Sequence, residues 1–212
     1  RTVFWWLAGV SVLVGILIFA VVPEKAHTAQ AATPGQSAFA TQISDLKKVY
    51  GSAYFWRLSF MVFLHNGVFL SYQALWAAPW LRDVAGLDRD GVAEAMLMFF
   101  VGMFAGVLSI GFFAERLQKI GIPTIVPAVT GVVISIAIQC VFAAGWSGLP
   151  ATMCLLWGYF GSSSTLAYAV LNQQFPQNLT GRVNTAQNMM TFIAAFAVQW
   201  AAGVIIGIYP SP

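Results

Sequence analysis

The sequence predicts an all-α fold of the polytopic membrane type, a helix bundle with about six transmembrane helices. Three observations predict it. The 212 residues are 59% hydrophobic and only 8% charged, where a soluble domain carries about 25% charged side chains; so few charges cannot cover a water-facing surface. Six stretches, residues 3–22, 55–80, 92–113, 122–144, 149–171 and 183–208, are apolar over the length of a span, which is about 20 residues. None alternates in the short segments of about ten residues that build a barrel, and backbone groups in lipid must bond within their own segment, so the stretches are helices.

The first span follows Arg1 almost at once. It lacks the charged start, short apolar core and small-residue cleavage site of a signal peptide, and the chain reads as a piece of a longer protein. Residues 23–54 form a linker whose middle, "AHTAQAATPGQSAFATQ", is small and polar. It closes in "SDLKKVYGS", where Ser44 is expected to cap a short interfacial helix. Leu46, Val49 and Tyr50 would face the membrane surface, and Lys47 and Lys48 the headgroups. Residues 55–212 then hold five spans joined by short connections. Asp88 or Asp90 is expected to cap the span that begins near residue 92. Cys140 and Cys154 both fall in apolar runs, where a packed thiol is the expectation and a disulfide framework is not.

With the linker side labelled inside, Lys25, Lys47, Lys48, Arg57, Arg116, Lys119 and Arg182 lie inside, and Arg1, Arg82 and Arg89 lie outside beside Asp83, Asp88, Asp90 and Glu94. This bias makes the linker and the loops at 114–121 and 172–182 cytoplasmic. The net charge is +3, but the basic residues form no patch, so no nucleic-acid partner is expected. No cofactor or metal is expected: His27 and His65 are the two histidines, and HExxH and CxxC are absent.

The inside loop after the 92–113 span reads "GFFAERLQKIG", residues 111 to 121. Its pattern Gly111-x-x-Ala114-Glu115-Arg116-x-x-Lys119-x-Gly121 resembles the G-x-x-A-D-R-x-G-R-R-x-G loop motif of the major facilitator superfamily. Glu115 stands for the usual Asp, Gln118 for one basic residue, and the middle glycine is missing, as in the weaker second copy between spans 8 and 9. "SYQALWAAPWL", residues 71–81, is similar to the outer end of span 7, and "FPQNLTGRVNTAQN", residues 175–188, to the loop between spans 10 and 11. The resemblance covers essentially the whole chain. It implies that residues 1–22 are span 6, residues 23–54 the central cytoplasmic loop, and residues 55–212 spans 7 to 11 of the C-terminal bundle. The N-terminal half would be a missing partner.

That resemblance implies a secondary transporter of the inner membrane, moving a small solute by rocking two bundles, with a coupling proton or sodium ion as a further partner. The competing reading is an integral-membrane enzyme or sensor. Gly111, Glu115, Arg116, Lys119 and Gly121 would form a cytoplasmic gating loop, its glycines allowing tight turns and close approach.

Polar residues at membrane depth supply the candidate cavity. On a helical wheel His65, Asn66, Tyr72, Gln73 and Trp76 share one sector of span 7, with Ser71 pointing away. His65 is the one membrane-depth group that titrates near neutral pH. In span 11, Asn184, Asn188, Thr191 and Gln199 form a stripe with Gln187 at its edge; Thr191 and Gln199 are cavity candidates. In span 10, "GSSSTLAY" predicts a locally irregular helix, with Gly158, Gly161, Thr165, Tyr168 and Asn172 on one face; Thr165 and Tyr168 are candidates. Gly102, Gly106 and Ser109 are expected to make a helix contact. No Asp, Glu, Lys or Arg lies near the centre of a span, so this half supplies no counter-charge for a strongly ionic solute.

Overall fold

The computed structural model describes residues 2–21 and 38–208, and among these every regular element is helical. Most of the polar linker and residues 209–212 lie outside the described residues. The chain divides into two units, Arg1–Gln42 and Ile43–Pro212. In the first, α1 (Thr2–Val21) carries apolar side chains on every side, as a helix immersed in an apolar medium requires. The helix α2 (Ala38–Tyr50) crosses the boundary between the units.

The second unit is the bundle. Ser52 caps α3 (Ala53–Ser71), its hydroxyl accepting from the Phe55 N–H at 3.3 Å. Five residues, Tyr72–Trp76, then form a π-turn before α4 (Ala77–Asp83). Pro79 accounts for this turn. It has no N–H, and its ring would press on the carbonyl four residues back, that of Leu75. The backbone widens there, and the Ala77 N–H reaches the Tyr72 carbonyl five residues back. The span as a whole runs Ala53–Asp83.

Asp88 caps α5 (Arg89–Lys119), its carboxylate accepting from Gly91 N–H at 2.9 Å. This cap is as expected, and Asp88→Ala should cost about 1 kcal/mol, read as a lowered unfolding midpoint in detergent. The helix runs on past residue 113 to Lys119. It ends where Ile122 N–H bonds the Leu117 carbonyl at 2.9 Å and Gly121 N–H the Gln118 carbonyl at 3.0 Å. This closure needs the positive φ of Gly121, +88°, and Pro123 then bars further helix. The continuous helix α6 is Ile125–Ala143. The next span is broken: α7 (Pro150–Gly161), a 3-10 turn (Ser162–Thr165) and α8 (Leu166–Asn172). A short 3-10 turn, Gln177–Leu179, leads into α9 (Thr180–Ile208). Among the described residues all six expected spans are thus helical, and five helices are long and apolar enough to cross a membrane.

Helix α5 packs on α7, α3 on α9, and α6 on α7 and the 3-10 turn. The α5–α7 seam is close because glycines line it: a side chain at Gly102 would strike the Leu155 carbonyl, and one at Gly158 the Phe99 carbonyl. Ser109 donates to the Tyr159 hydroxyl at 2.9 Å, so the expected small-residue contact is present. An aromatic cluster caps the seam, Trp157 lying 4.7 Å from Phe99, 5.2 Å from Phe69 and 5.8 Å from Phe142, centroid to centroid.

Four local expectations are corrected. Ser44 lies inside α2, which starts at Ala38. Val49 faces the bundle core with Phe55, Leu58 and Val183, because its position on α2 is opposite the outward face. Cys154 is buried but Cys140 is exposed, since α6 packs by its other side. Gly111 makes no turn and no close approach: it sits mid-helix with open space where a side chain would go.

Candidate functional site

His65 is buried in the seam between α3 and the end of α7. Its Nε2 lies 3.4 Å from the Gly161 carbonyl, and its ring stacks on Phe69 at 5.6 Å. With the proton on Nε2 this nitrogen donates to the carbonyl, and Nδ1 is left a buried acceptor without a partner. Tyr72 meets Trp157 edge-on at 5.3 Å. The Tyr72 hydroxyl and the indole N–H groups of Trp76 and Trp157 are also buried without partners. Buried polar groups are satisfied as a rule; among the described residues Ser135 Oγ, Asn172 Oδ1, Asn184 Oδ1 and Gln187 Nε2 are likewise without partners, on α6, α8 and α9. Asn66 and Gln73 are half-buried on the same span.

The expected local irregularity of span 10 is present as the 3-10 turn, and the residues placed on one face meet different neighbours. The turn winds more tightly than an α-helix. Ahead of the turn, within α7, Gly158 backs on α5 and Gly161 lies against the Phe69 ring of α3; within the turn Thr165 is exposed, its hydroxyl donating to the Ser162 carbonyl at 2.8 Å. Tyr168 donates to Asn188 Oδ1 at 2.6 Å, joining α8 to α9. Thr191 donates to the Gln187 carbonyl at 3.1 Å, and Gln199 is half-buried further along α9.

The α3–α9 stitch is absent from the sequence reading. Ser59 donates to Gln187 Oε1 at 2.6 Å, both fully buried. Ser71, expected to point away, donates to the Ala195 carbonyl at 2.9 Å, and Gly67 backs on Ala194. The spacing of Ser59, Gly67 and Ser71 at multiples of four was the available signal, since it marks a helix-contact face. Ser59→Ala should destabilise by about 1 kcal/mol by stranding the Gln187 amide, and Ser59→Ala with Gln187→Leu should recover most of that loss. Thermal unfolding of the three variants in one detergent tests this.

The charged end of α5 is helical. Lys119 pairs with Glu115 at 3.0 Å one turn away, and the Arg116 guanidinium sits 4.2 Å above the Phe112 ring. Among the described residues one ion pair ties distant elements: Asp45 of α2 takes Arg182 of α9 at 3.0 Å, and also Lys48 one turn along α2 at 3.1 Å.

Five helices long and apolar enough to cross a membrane among the described residues mark a multi-pass membrane protein. The family model described as Major Facilitator Superfamily matches residues 1–198. The chain belongs to that superfamily, a family of membrane transporters, as the loop at 111–121 led us to expect. Comparison with curated proteins and with solved structures returns no match.

Proposed function

We propose that the protein is a secondary active permease of the inner membrane that carries a small solute by alternating access. The observation that carries this reading is the pair of irregular turns flanking the His65–Gly161 contact. The 3-10 turn starts directly after Gly161, and the π-turn lies seven residues beyond His65. Such turns at membrane depth mark cavities and hinges. The unpartnered Nδ1 of His65, Tyr72 hydroxyl and Trp76 indole N–H are the groups that would bond a solute or its water. Asn66, Gln73, Thr165, Tyr168, Thr191 and Gln199 extend the wall toward spans 10 and 11. The solute is uncharged or weakly charged, and a proton or sodium ion drives it.

The linker and the 114–121 and 172–182 segments lie on the cytoplasmic side in this reading, on the basic-residue bias. Glu115, Arg116 and Lys119, exposed on the last turns of α5, reach for the N-terminal half in one state of the cycle, and Gly121 sets where that arm ends.

The test is solute exchange in proteoliposomes, with candidates first chosen by thermal stabilisation of the purified protein. Saturable counterflow is expected. His65→Gln should raise KM by about tenfold, the worth of one buried hydrogen bond, without lowering the unfolding midpoint to match. Flux that rises linearly with solute and shows no exchange would sink the reading.

A further inference from the structure

The structure assigns α2 a partner of its own: the anionic headgroups and upper acyl chains of the bilayer leaflet at that end of the bundle. On a wheel of about 100° per residue, Ile43, Leu46, Lys47 and Tyr50 fall within about 100° of one another, and Asp45 and Val49 point the opposite way. The second set is spoken for. Val49 is wholly buried, and Asp45 holds Arg182 and Lys48. Within the first set Ile43 and Leu46 are turned outward, 39% and 41% exposed, and Lys47 is exposed, while Tyr50 is half-buried at the edge of the core, its ring 5.4 Å from Phe55. Their direction is set by those anchors.

The outward face is continuous with the lipid-length surface of α3. Tyr50 and Trp56 are joined ring to ring at 6.0 Å, and the Trp56 indole donates to the Tyr50 carbonyl at 2.7 Å. Trp56 is 47% exposed and leads into the exposed Phe60 and Leu64. Aromatic residues with one polar end settle at the headgroup level. This belt therefore fixes the depth of α2 at the interface, with Ile43 and Leu46 dipping into the acyl boundary.

Charge names the lipid. Lys47 shares the apolar sector, Arg57 follows Trp56, and neither takes part in an ion pair among the described residues. A lysine stem that lies along apolar surface brings its ammonium up to the phosphate level. Two free cations flanking an aromatic belt select an anionic headgroup over a zwitterionic one. The inference needs the membrane setting and not the transport reading.

The experiment places a nitroxide at Ile43→Cys or Leu46→Cys in a Cys140→Ser, Cys154→Ala background, in liposomes of phosphatidylcholine with or without phosphatidylglycerol. Strong relaxation by oxygen and weak relaxation by a water-soluble nickel chelate is the result expected of lipid. Nickel access would place the face in water, and access to neither would place it under another protein element; either overturns the proposal. Lipid retention gives the second reading. Lys47→Gln and Arg57→Gln should each lower the retained ratio of phosphatidylglycerol to phosphatidylcholine by about fivefold at low salt, with the unfolding midpoint unchanged. An unchanged ratio in both variants removes the headgroup part of the claim.

Discussion

Gly158→Leu should abolish the folded bundle or cost it about 3 kcal/mol or more. Gly158 faces the backbone of α5, where a Cβ would meet the Phe99 carbonyl and lie 3.0 Å from the Met103 nitrogen. Backbone cannot rotate aside as the end of a flexible side chain can. The two helices must separate, and the separation is felt at once by Trp157, the next residue, which is 1% exposed and packed on Phe69, Phe99, Tyr72 and Phe142. Without a hydrophobic drive between helices in lipid, such close packing is what holds them. Gly102→Leu should act alike, since it meets the Leu155 carbonyl from the other side. Gly111→Ala is the control: it sits in the same helix family with open space beside it, and should be neutral or stabilise by up to about 1 kcal/mol. Size-exclusion profiles and unfolding midpoints of the three variants decide. A Gly158→Leu protein as monodisperse and heat-resistant as its parent would mean the α5–α7 seam is looser than drawn.

What could be read from sequence follows from how far each determinant reaches. The spans were legible because lipid imposes about 20 apolar residues on any helix that crosses it. The end of α5 was not, because Ala114, Glu115, Arg116, Leu117, Gln118 and Lys119 are good helix formers and their polarity marks the membrane surface, not the helix end. The irregularity of span 10 showed in its run of hydroxyls. That of span 7 has an equally local cause in Pro79, which the wheel placing His65 and Trp76 in one sector did not take into account. The Ser59–Gln187 bond joins residues 128 apart in sequence, and no spacing rule on either helix alone could pair them. The loop motif identified the family while leaving the local geometry open. Glu115 turns out to hold Lys119, and the pairing across elements falls to Asp45 and Arg182.

That pair should respond unequally to removal of its two members. The Asp45 side chain is 9% exposed and that of Arg182 32%. With Arg182→Ala, a carboxylate stays buried beside the core residue Val49 with only Lys48 to answer it, and Lys48 is itself 61% exposed and drawn to water. With Asp45→Ala, the long Arg182 side chain can swing its charge outward, and the pocket loses a buried charge instead of gaining an unpaired one. Arg182→Ala should therefore cost about 2 kcal/mol and Asp45→Ala about 1 kcal/mol. The double variant should fall near the milder single one. Exchanging the two, Asp45→Arg with Arg182→Asp, should restore only part of the loss, because the new arginine would sit against Lys48. Amide hydrogen exchange over α2 is the measurement that separates this account from general loosening. Protection should fall along residues 45–50 in Arg182→Ala while the amides of α5 and α7, which pack mainly on one another, keep theirs; equal loss in all three helices would return Arg182 to an ordinary surface cation.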